Sequence, residues 1–209
     1  MTEERVAICG GTFDPFHRGH LEPILQIRST FSWERLMYLP ARVQPFKTAV
    51  AVSSPFHRLA MVVLATQDRE DIEVSLIELE RAGTSFAVDT LEALRLQHPS
   101  GIFDWIIGDD NLPQLAEWKS IDRVFQLANF VVVTRGKGIV PAPLLDRVRN
   151  ANQLSSSGSI YLVETDLVEV SSTDIRNRVR SGQSISNLVD PRVERYIQKH
   201  GLYRSEVAV

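Results

Sequence analysis

The chain has 209 residues, of which 44% are hydrophobic, and its formal net charge is −3 at pH 7. This length and apolar content suit one α/β domain that can bury a core of its own. The slightly negative charge argues against a nucleic-acid-binding protein, because such proteins carry clustered positive charge. A single cysteine, Cys9, excludes a disulfide framework and favours a reducing compartment.

Targeting signals are not evident in the sequence. Residues 1–4 include two glutamates, and the first apolar run is too short for the core of a signal peptide. No apolar stretch approaches the roughly 20 residues that cross a bilayer as a helix. We therefore expect a cytoplasmic protein with no membrane partner.

Segments with strand-like and helix-like hydrophobic spacing alternate along the chain. The predicted strands cover residues 5–9, 35–39, 72–77, 103–107, 130–133 and 160–163. The predicted helices cover residues 20–30, 55–66, 86–96, 121–127, 144–151, 173–180 and 192–199. This alternation predicts a Rossmann-like, doubly wound parallel sheet with helices on both faces.

Helix boundaries carry local signals as well. Ser54-Pro55 predicts a helix start, with a capping residue followed by proline at the first helical position. The apolar spacing of that helix predicts that Leu59, Val62 and Val63 are buried. Gly201 is the predicted C-terminal cap of the last helix. We treat residues 1–209 as one domain, with a small C-terminal helical extension at 170–205.

The first motif lies between the first strand and the first helix. It reads Gly10-Gly11-Thr12-Phe13-Asp14-Pro15-Phe16-His17-Arg18-Gly19-His20. Backbone N–H groups in a glycine turn and the positive end of a helix attract anions without any charged side chain. The two histidines add donors, and the spacing is neither G-x-G-x-x-G nor that of a P-loop. The motif predicts a phosphate-binding site.

A second motif begins the helix at 173–180. It reads Val170-Ser171-Ser172-Thr173-Asp174-Ile175-Arg176. Serine and threonine at a helix start supply donors, and an arginine can fork onto two phosphate oxygens. Two such helix starts would suit a triphosphate. The simpler alternative is that the serines only cap the helix and that Arg176 is a solvated surface charge.

Four loops follow the predicted strands, at residues 10–20, 40–48, 108–119 and 134–138. In a doubly wound sheet, ligands bind beyond the carboxyl ends of the strands, near the switch point of the topology. We expect these loops to surround the functional site.

Taken together, the motifs resemble the bacterial nicotinate-nucleotide adenylyltransferases of the H-x-G-H nucleotidyltransferase superfamily. The resemblance covers essentially the whole chain. Further matching segments are His57-Arg58-Leu59-Ala60-Met61, Arg81-x-Gly83-x-Ser85-Phe86-x-Val88-Asp89-Thr90-Leu91, Gly108-x-Asp110-x-Leu112 with Trp118, Val133-Thr134-Arg135-Gly136, and Val193-x-x-Tyr196-Ile197-x-x-x-Gly201-Leu202-Tyr203.

The resemblance implies transfer of an adenylyl group from ATP to nicotinate mononucleotide, which yields deamido-NAD and pyrophosphate in NAD biosynthesis. Such chemistry needs no protein nucleophile, because it depends on aligning two anions and neutralising their charge. Mg²⁺ is expected to bridge the phosphates with few protein ligands, so no metal-ligating residue is predicted. The expected partners are ATP and nicotinate mononucleotide. Whether the protein forms a homo-oligomer stays open.

The resemblance also implies roles for individual residues. His17, His20 and Arg176 are the implied catalytic residues. The implied ATP-binding residues are Gly10, Gly11, Thr12, Phe13, Gly108, Asp110, Ser171, Ser172 and Thr173. The implied acceptor-binding residues are Lys47, Thr84, Ser85, Trp118 and Arg135.

The chain departs from the family pattern on the acceptor side. Phe46 stands where many members carry the histidine of Pro-Pro-His-Lys. Ser85-Phe86-Ala87 replaces Ser-Tyr-Thr, and Arg135-Gly136-Lys137 replaces Arg-Pro-Gly. These changes leave the ATP motifs intact but weaken the acceptor assignment, so the amidated mononucleotide remains an alternative acceptor.

Three other functions share part of these motifs. Pantetheine-phosphate adenylyltransferases carry both phosphate motifs, but they are shorter and lack the segments at 57–61 and 81–90. A fragment of a class I aminoacyl-tRNA synthetase is disfavoured by the length, the net charge and the lack of a K-M-S-K-S-like segment. An inert nucleotide-binding protein is disfavoured because both histidines and Arg176 are present.

Overall fold

The computed structural model describes residues 4–45, 52–134, 139–166 and 168–204. Within these ranges, parallel strands form one sheet in the order β3-β2-β1-β4-β5-β6. The strands are β1 (Arg5–Gly11), β2 (Arg35–Pro40), β3 (Ile72–Val74), β4 (Ile102–Gly108), β5 (Asn129–Thr134) and β6 (Ile160–Glu164). The strand order reverses between β1 and β4. The predicted doubly wound parallel sheet is therefore confirmed.

The helices connect the strands as the sequence predicts for most of the chain. They are α1 (Arg18–Phe31), α2 (Pro55–Thr66), α3 (Ile77–Glu80), α4 (Ala87–Gln97), α5 (Ile121–Leu127), α6 (Ser172–Arg180) and α7 (Pro191–Lys199). Two 3-10 helices cover Asp109–Glu117 and Ala142–Arg147. Among the described residues, no helix is both long and apolar enough to cross a membrane.

The two faces of the sheet bury separate apolar clusters. Val6 and Ile8 of β1 pack with α4, α5 and the 3-10 helix at Asp109–Glu117. Ala7 and Cys9 point to the other face and pack with α1, α2, α6 and α7. Successive side chains of a strand alternate between its faces, so β1 contributes to both clusters. The C-terminal helices thus share a core with the first two.

Two helix-end predictions agree with the structure. Ser54 is the N-cap residue of α2, and Pro55 is its first residue. Gly201 has a φ of +62°, in the left-handed region that favours glycine. Next to it, the N–H of Leu202 donates to the carbonyl of Ile197 at 3.0 Å. This bond closes the end of α7 in a Schellman-type cap.

The predicted strand at 72–77 is too long. β3 ends at Val74, and Ile77 begins the short helix α3. The turn to α3 buries Glu78, whose Oε1 accepts a hydrogen bond from Thr90 Oγ1 of α4 at 2.8 Å. Because this contact depends on α4, the apolar alternation that continues past Val74 could not reveal where the strand ends.

The predicted helix at 144–151 is wrong. The chain forms the 3-10 helix Ala142–Arg147, and Val148 then forms an isolated parallel bridge with Ile160. The N–H of Arg149 donates to the carbonyl of Ile160 at 2.9 Å. Pairing with the edge strand β6 therefore replaces a further helical turn.

The predicted burial along α2 is only partly correct. Val62 is fully buried and Leu59 is half-buried, but Val63 is 42% exposed. Met61 and Arg58 face the interior instead. The spacing of apolar residues alone therefore mispredicts part of the buried face of α2, because a rule based on apolar residues does not identify a buried arginine.

A buried polar cluster joins the N-terminal ends of the central strands. Asp104 of β4 is fully buried. Its carboxylate accepts hydrogen bonds from Arg5 at 2.6 and 2.9 Å, from Trp33 Nε1 at 2.7 Å and from Asn129 Nδ2 at 2.9 Å. Arg5 begins β1 and Asn129 begins β5, so one carboxylate ties three neighbouring strands at the end of the sheet where these strands begin.

Replacing Asp104 should destabilise the whole domain. Asp104→Asn leaves the buried guanidinium of Arg5 without its counter-charge, so we expect the free energy of unfolding to fall by about 3–5 kcal/mol in urea titrations. Glu92→Gln is the control. It removes the half-exposed ion pair with Arg123 (3.1 Å) and should cost under about 1 kcal/mol. Equal losses for the two variants would contradict the role of Asp104.

Candidate active site

A cavity of about 1170 Å³ opens at the carboxyl ends of β1 and β4. Gly11 ends β1 and Gly108 ends β4, and both residues line the cavity. This is the switch point of the strand order, where doubly wound sheets bind ligands. The loops predicted at 10–20, 40–48 and 108–119 all contribute lining residues. Residues 135–138 of the fourth loop lie outside the described residues.

The glycine turn after β1 is closely packed. A Cβ atom on Gly10 would lie 2.9 Å from Cζ2 of Trp105, and one on Gly11 would lie 2.7 Å from Cε1 of Phe13. Phe13 has a φ of +54°, in the left-handed region that only a firmly held residue adopts. Gly10, Gly11, Thr12 and Phe13 all line the cavity. The two glycines therefore present main chain to the cavity, as a backbone anion site requires.

The two histidines lie together at the start of α1. His17 is the N-cap residue and is 6% exposed. The backbone N–H of His17 donates to Nδ1 of His20 at 3.2 Å, and the two imidazole rings stack with centroids 3.7 Å apart. Since Nδ1 of His20 accepts a bond, a neutral His20 carries its proton on Nε2.

Burial determines the charge of His17. Its Nδ1 atom is buried and has no hydrogen-bond partner among the described residues. Burial lowers the pKa of His17 to about 4, because it removes the charged form from water. The ring is therefore neutral at pH 7. A phosphate oxygen beside the ring would oppose this shift, because an anion favours the protonated form.

The second motif packs directly against the first. Arg176 Nη1 donates to the backbone carbonyl of Asp14 at 2.7 Å, and its Nη2 donates to Thr173 Oγ1 at 3.2 Å. The hydroxyl of Ser172 donates to the carbonyl of Pro15 at 3.1 Å. Arg176 is thus half-buried and held in place, which argues against the alternative of a solvated surface charge.

The cap of α6 accounts for Ser171. Its Oγ accepts the N–H of Asp174 at 3.1 Å, so this serine satisfies one free donor at the helix start. Ser171, Ser172, Thr173 and Arg176 all line the same cavity as the glycine turn. The starts of α1 and α6 therefore converge on one site.

Arg58 holds the walls of the cavity and was assigned no role from the sequence. It is 2% exposed, and its guanidinium donates to the carbonyls of Thr12 (2.7 Å), Ala41 (2.7 Å) and Ser53 (3.0 Å). Burial lowers the pKa of Arg58, and the nearby charge of Asp14 opposes that shift. The signal in the sequence is an arginine on the apolar face of a helix.

Gly108 and Asp110 lie at the end of β4. Gly108 is the N-cap residue of the following 3-10 helix, and a Cβ atom there would lie 2.6 Å from Asp110 Oδ1. Asp110 is exposed, and its Oδ1 accepts a bond from Asn111 Nδ2 at 2.8 Å. Both predicted residues line the cavity, as does Asp109.

Trp118 lies on the same cavity and is half-buried. Its ring meets Trp105 edge to face, with centroids 6.4 Å apart, and Phe130 in the same way at 5.6 Å. Edge-to-face contacts of this kind fix the orientation of a ring. Trp118 therefore belongs both to the apolar cluster and to the cavity wall.

Ser85 lines the cavity, but its hydroxyl has a structural task. Its Oγ accepts the N–H of Arg42 at 3.1 Å, and its own N–H donates to the carbonyl of Val43 at 2.9 Å. These bonds join the segment before α4 to the loop after β2. Thr84 is not among the residues that line the cavity. Lys47, Arg135 and the family departure at Phe46 lie outside the described residues.

Sequence reasoning also missed charged residues on the cavity, among them Glu78 and Lys119. Glu78 is 3% exposed, and burial raises the pKa of its carboxyl group. Lys119 follows Trp118, with Nζ 4.5 Å from the ring centroid of Phe86 and 3.1 Å from Asp89 Oδ2. Glu78 carries no signal in the sequence, because it directly follows a segment with strand-like spacing.

The described residues contain no group of three or more histidine, cysteine or acidic side chains that could hold a metal ion. The carboxylates that reach the cavity include Asp14 and Asp110. Mg²⁺ commonly takes one or two carboxylates together with substrate phosphates and water. The residues present therefore fit an ion that is bound mainly through phosphates.

The buried His17 should make the protein sensitive to acid. Between the unfolded pKa of about 6.5 and the folded pKa of about 4, the unfolded chain binds a proton that the folded chain does not. The free energy of unfolding should therefore fall as the pH drops through this window, by about 2 kcal/mol at pH 5.

Urea titrations at pH 7 and pH 5 measure this loss. His17→Asn keeps a good N-cap residue but removes the titrating ring, so this variant should lose about 2 kcal/mol less than the wild type between the two pH values. Parallel losses would show that His17 is not the group responsible.

Comparison with known proteins places the chain in a family. The cytidylyltransferase-like family model matches residues 8–178. A protein from Tropheryma whipplei (strain Twist), named as a probable nicotinate-nucleotide adenylyltransferase, is 40% identical over 197 residues, which cover 94% of this chain and 98% of that protein. A protein of the same name from Thermoanaerobacter sp. (strain X514) is 37% identical over 205 residues, covering 98% and 96%.

A solved structure agrees in fold. The Plasmodium falciparum nicotinic acid mononucleotide adenylyltransferase complexed with NaAD superposes with a TM-score of 0.74 over 96% of this chain and 98% of that one, at 19% sequence identity. At that identity the likeness shows the fold alone. Together with the sequence relatives, it leads to one conclusion: the chain belongs to the cytidylyltransferase-like family and, within it, to the nicotinate-nucleotide adenylyltransferases.

Proposed function

We propose that this protein transfers the adenylyl group of ATP to the 5′-phosphate of nicotinate mononucleotide, forming deamido-NAD and pyrophosphate in NAD biosynthesis. The observation that carries the proposal is the convergence of the starts of α1 and α6 on one cavity, with Arg176 Nη1 2.7 Å from the Asp14 carbonyl. Relatives that match nearly the whole chain are named for this activity.

The helix starts that face the cavity suit two phosphate-bearing substrates. Each helix start carries roughly half a positive charge and a set of unpaired N–H groups. The starts of α1 and α6 add these to the guanidinium of Arg176 and the main chain of Gly10 and Gly11. Such fixed dipoles bind phosphate without the cost of burying several full charges.

The reaction is an in-line displacement at phosphorus. An oxygen of the acceptor phosphate forms a bond to the α-phosphorus of ATP, and the bond from that phosphorus to the oxygen bridging to the β-phosphate breaks. The bonding electrons leave with pyrophosphate, so no covalent protein intermediate is required. The chain therefore contributes alignment of the substrates and neutralisation of charge.

We assign the phosphates of ATP to the glycine turn and the histidines. The main chain of residues 10–13 and the rings of His17 and His20 would contact the triphosphate. His17 is neutral at pH 7 and can donate a hydrogen bond in that form, and an approaching phosphate would favour its protonation. The stacking of the two rings, with centroids 3.7 Å apart, would hold these donors in place before the substrate binds.

We assign the leaving pyrophosphate to Arg176 and to the helix start formed by Ser171, Ser172 and Thr173. Arginine donates two parallel bonds to phosphate oxygens, and its charge persists at all relevant pH values. Mg²⁺, when bound to the phosphates, would neutralise part of their charge. Its protein ligands would be few, because the described residues hold no preformed metal cluster.

We assign the adenosine to Gly108 and Asp110, with the Asp110 carboxylate accepting from the ribose hydroxyls. The pyridine ring of the acceptor would stack on Trp118, whose orientation Trp105 and Phe130 fix. A cationic ring on an indole face is stabilised by about 0.5–2 kcal/mol. The roles of Lys47, Thr84, Ser85 and Arg135 toward the acceptor, the cytoplasmic location and a homo-oligomer stay predictions.

The acceptor can be identified directly by measuring pyrophosphate release. With ATP and Mg²⁺ we expect kcat/KM for nicotinate mononucleotide to exceed that for nicotinamide mononucleotide by at least about tenfold, the effect of one lost polar contact. Phosphopantetheine should give no release. An equal or reversed preference would contradict the acceptor assignment. No release with any acceptor, despite ATP binding, would favour the inert nucleotide-binding protein.

Single substitutions separate the two substrates. His20→Ala should lower kcat by about 100-fold or more, because it removes a hydrogen-bond donor to the charge that develops on the phosphates in the transition state. Trp118→Ala should mainly raise the KM of the acceptor. His98→Ala is the control, because His98 lies at the end of α4 and is not a lining residue. Normal turnover by His20→Ala, or an unchanged acceptor KM in Trp118→Ala, would remove that residue from its proposed role.

A further inference from the structure

The C-terminal segment after α7 returns to the glycine turn. Gly201 and Tyr203 both have a φ of +62°, and these two left-handed residues redirect the chain after the helix. The hydroxyl of Tyr203 donates to Oδ1 of Asp14 at 2.6 Å, a contact between residues 189 positions apart. The same hydroxyl lies 3.9 Å from Sδ of Met61 in α2. Tyr203 is thus packed between α2 and the turn that carries the phosphate motif.

Asp14 is the point where four segments of the chain meet. Its side chain lines the cavity but is only 4% exposed. Oδ1 accepts from Tyr203, and Oδ2 accepts the N–H of Ser53 at 3.1 Å, just before α2. The backbone carbonyl of the same residue accepts from Nη1 of Arg176 at 2.7 Å. Asp14 therefore links the turn, the start of α2, helix α6 and the C-terminal tail.

We propose that Tyr203 is a positioning residue for adenylyl transfer: its hydroxyl satisfies the Asp14 carboxylate and so keeps the guanidinium of Arg176 available to phosphate oxygens in the cavity. The proposal rests on the function proposed above, because it is in that reaction that Arg176 holds the leaving pyrophosphate.

The reasoning follows from the needs of a buried carboxylate. A buried charge that lacks donors recruits the nearest cation. The guanidinium of Arg58 is occupied by four backbone carbonyls, so it is not free to turn. Arg176 already donates to the backbone carbonyl of Asp14 at 2.7 Å, so it is the cation that we expect the carboxylate of the same residue to attract. The Tyr203 hydroxyl supplies a donor to that carboxylate and leaves Arg176 to the cavity.

Tyr203 is suited to act as a constant donor. Burial and the neighbouring Asp14 charge raise the pKa of its hydroxyl well above the ordinary range, so it stays protonated. A hydroxyl that is always protonated gives a constraint without pH dependence. The pH profile of kcat should therefore keep its shape when this hydroxyl is removed, while its height falls.

Tyr203→Phe removes the hydroxyl and keeps the ring. We expect kcat to fall at least about tenfold and the dissociation constant of inorganic pyrophosphate, measured by calorimetry, to rise about tenfold, the effect of losing one charge-assisted hydrogen bond. The acceptor KM should change by less than about twofold, since Trp118 is on another wall of the cavity.

Tyr196→Phe is the matched control. Its hydroxyl lies 2.9 Å from Nδ1 of His57, on α7 and away from the cavity. The substitution is the same, the residue is close by and each variant loses one part-buried hydrogen bond, so we expect similar effects on stability. If the two variants lose kcat and pyrophosphate affinity equally, or in proportion to their melting temperatures, Tyr203 is structural only and the proposal fails.

A double-mutant cycle tests the route through Asp14. Asp14→Asn removes the charge that would attract Arg176, so Tyr203→Phe should cost far less pyrophosphate affinity in that background than in the wild type. Additive losses would show that Tyr203 does not act through Asp14 and would overturn the proposal.

The two proposals can fail separately. Turnover of the wild-type protein with ATP and nicotinate mononucleotide tests the function alone. Pyrophosphate binding needs no acceptor, so it tests the link between Tyr203 and Arg176 whatever the acceptor is. Full wild-type turnover with unchanged pyrophosphate affinity in Tyr203→Phe would overturn the positioning role and leave the function intact.

Discussion

The buried guanidinium of Arg58 is the interaction on which the shape of the site depends. It donates to backbone carbonyls of Thr12, Ala41 and Ser53, in three loop segments outside helices and strands. Such carbonyls have no partner in a sheet or helix, and buried ones require a donor. One side chain of α2 thus joins the phosphate turn to the loop after β2. Without it, these three carbonyls would lose their guanidinium donor.

Around this anchor, the groups that we assign to anion binding are mostly main-chain groups without net charge. The starts of α1 and α6 face the cavity, His17 is kept neutral by burial, and Arg176 is held against the turn. Several buried full charges would be costly in the absence of phosphate. Helix dipoles and main-chain donors avoid that cost, since they are neutral overall and yet directed at the ligand.

The accuracy of the sequence predictions follows from the range of the interactions involved. The helix at 121–127 has the predicted bounds, and α2 begins where Ser54-Pro55 indicates. Caps and hydrophobic periodicity act over a few residues, so a short segment reveals them. The strand predicted at 72–77 and the helix predicted at 144–151 failed, because Thr90 and Ile160 from elsewhere in the chain decide the local conformation.

The sequence by itself determined the alternation of strands and helices and the two helix starts that carry the motifs, since both arise from local hydrophobic spacing, glycine and capping residues. Only the tertiary structure decided that these starts meet at one cavity and that Arg58 and Asp14 link its walls. It also showed that the Ser85 hydroxyl accepts a hydrogen bond from the N–H of Arg42, which the sequence did not indicate. These roles depend on hydrogen bonds between residues up to 189 positions apart, whose proximity is created by the parallel sheet and its crossover helices.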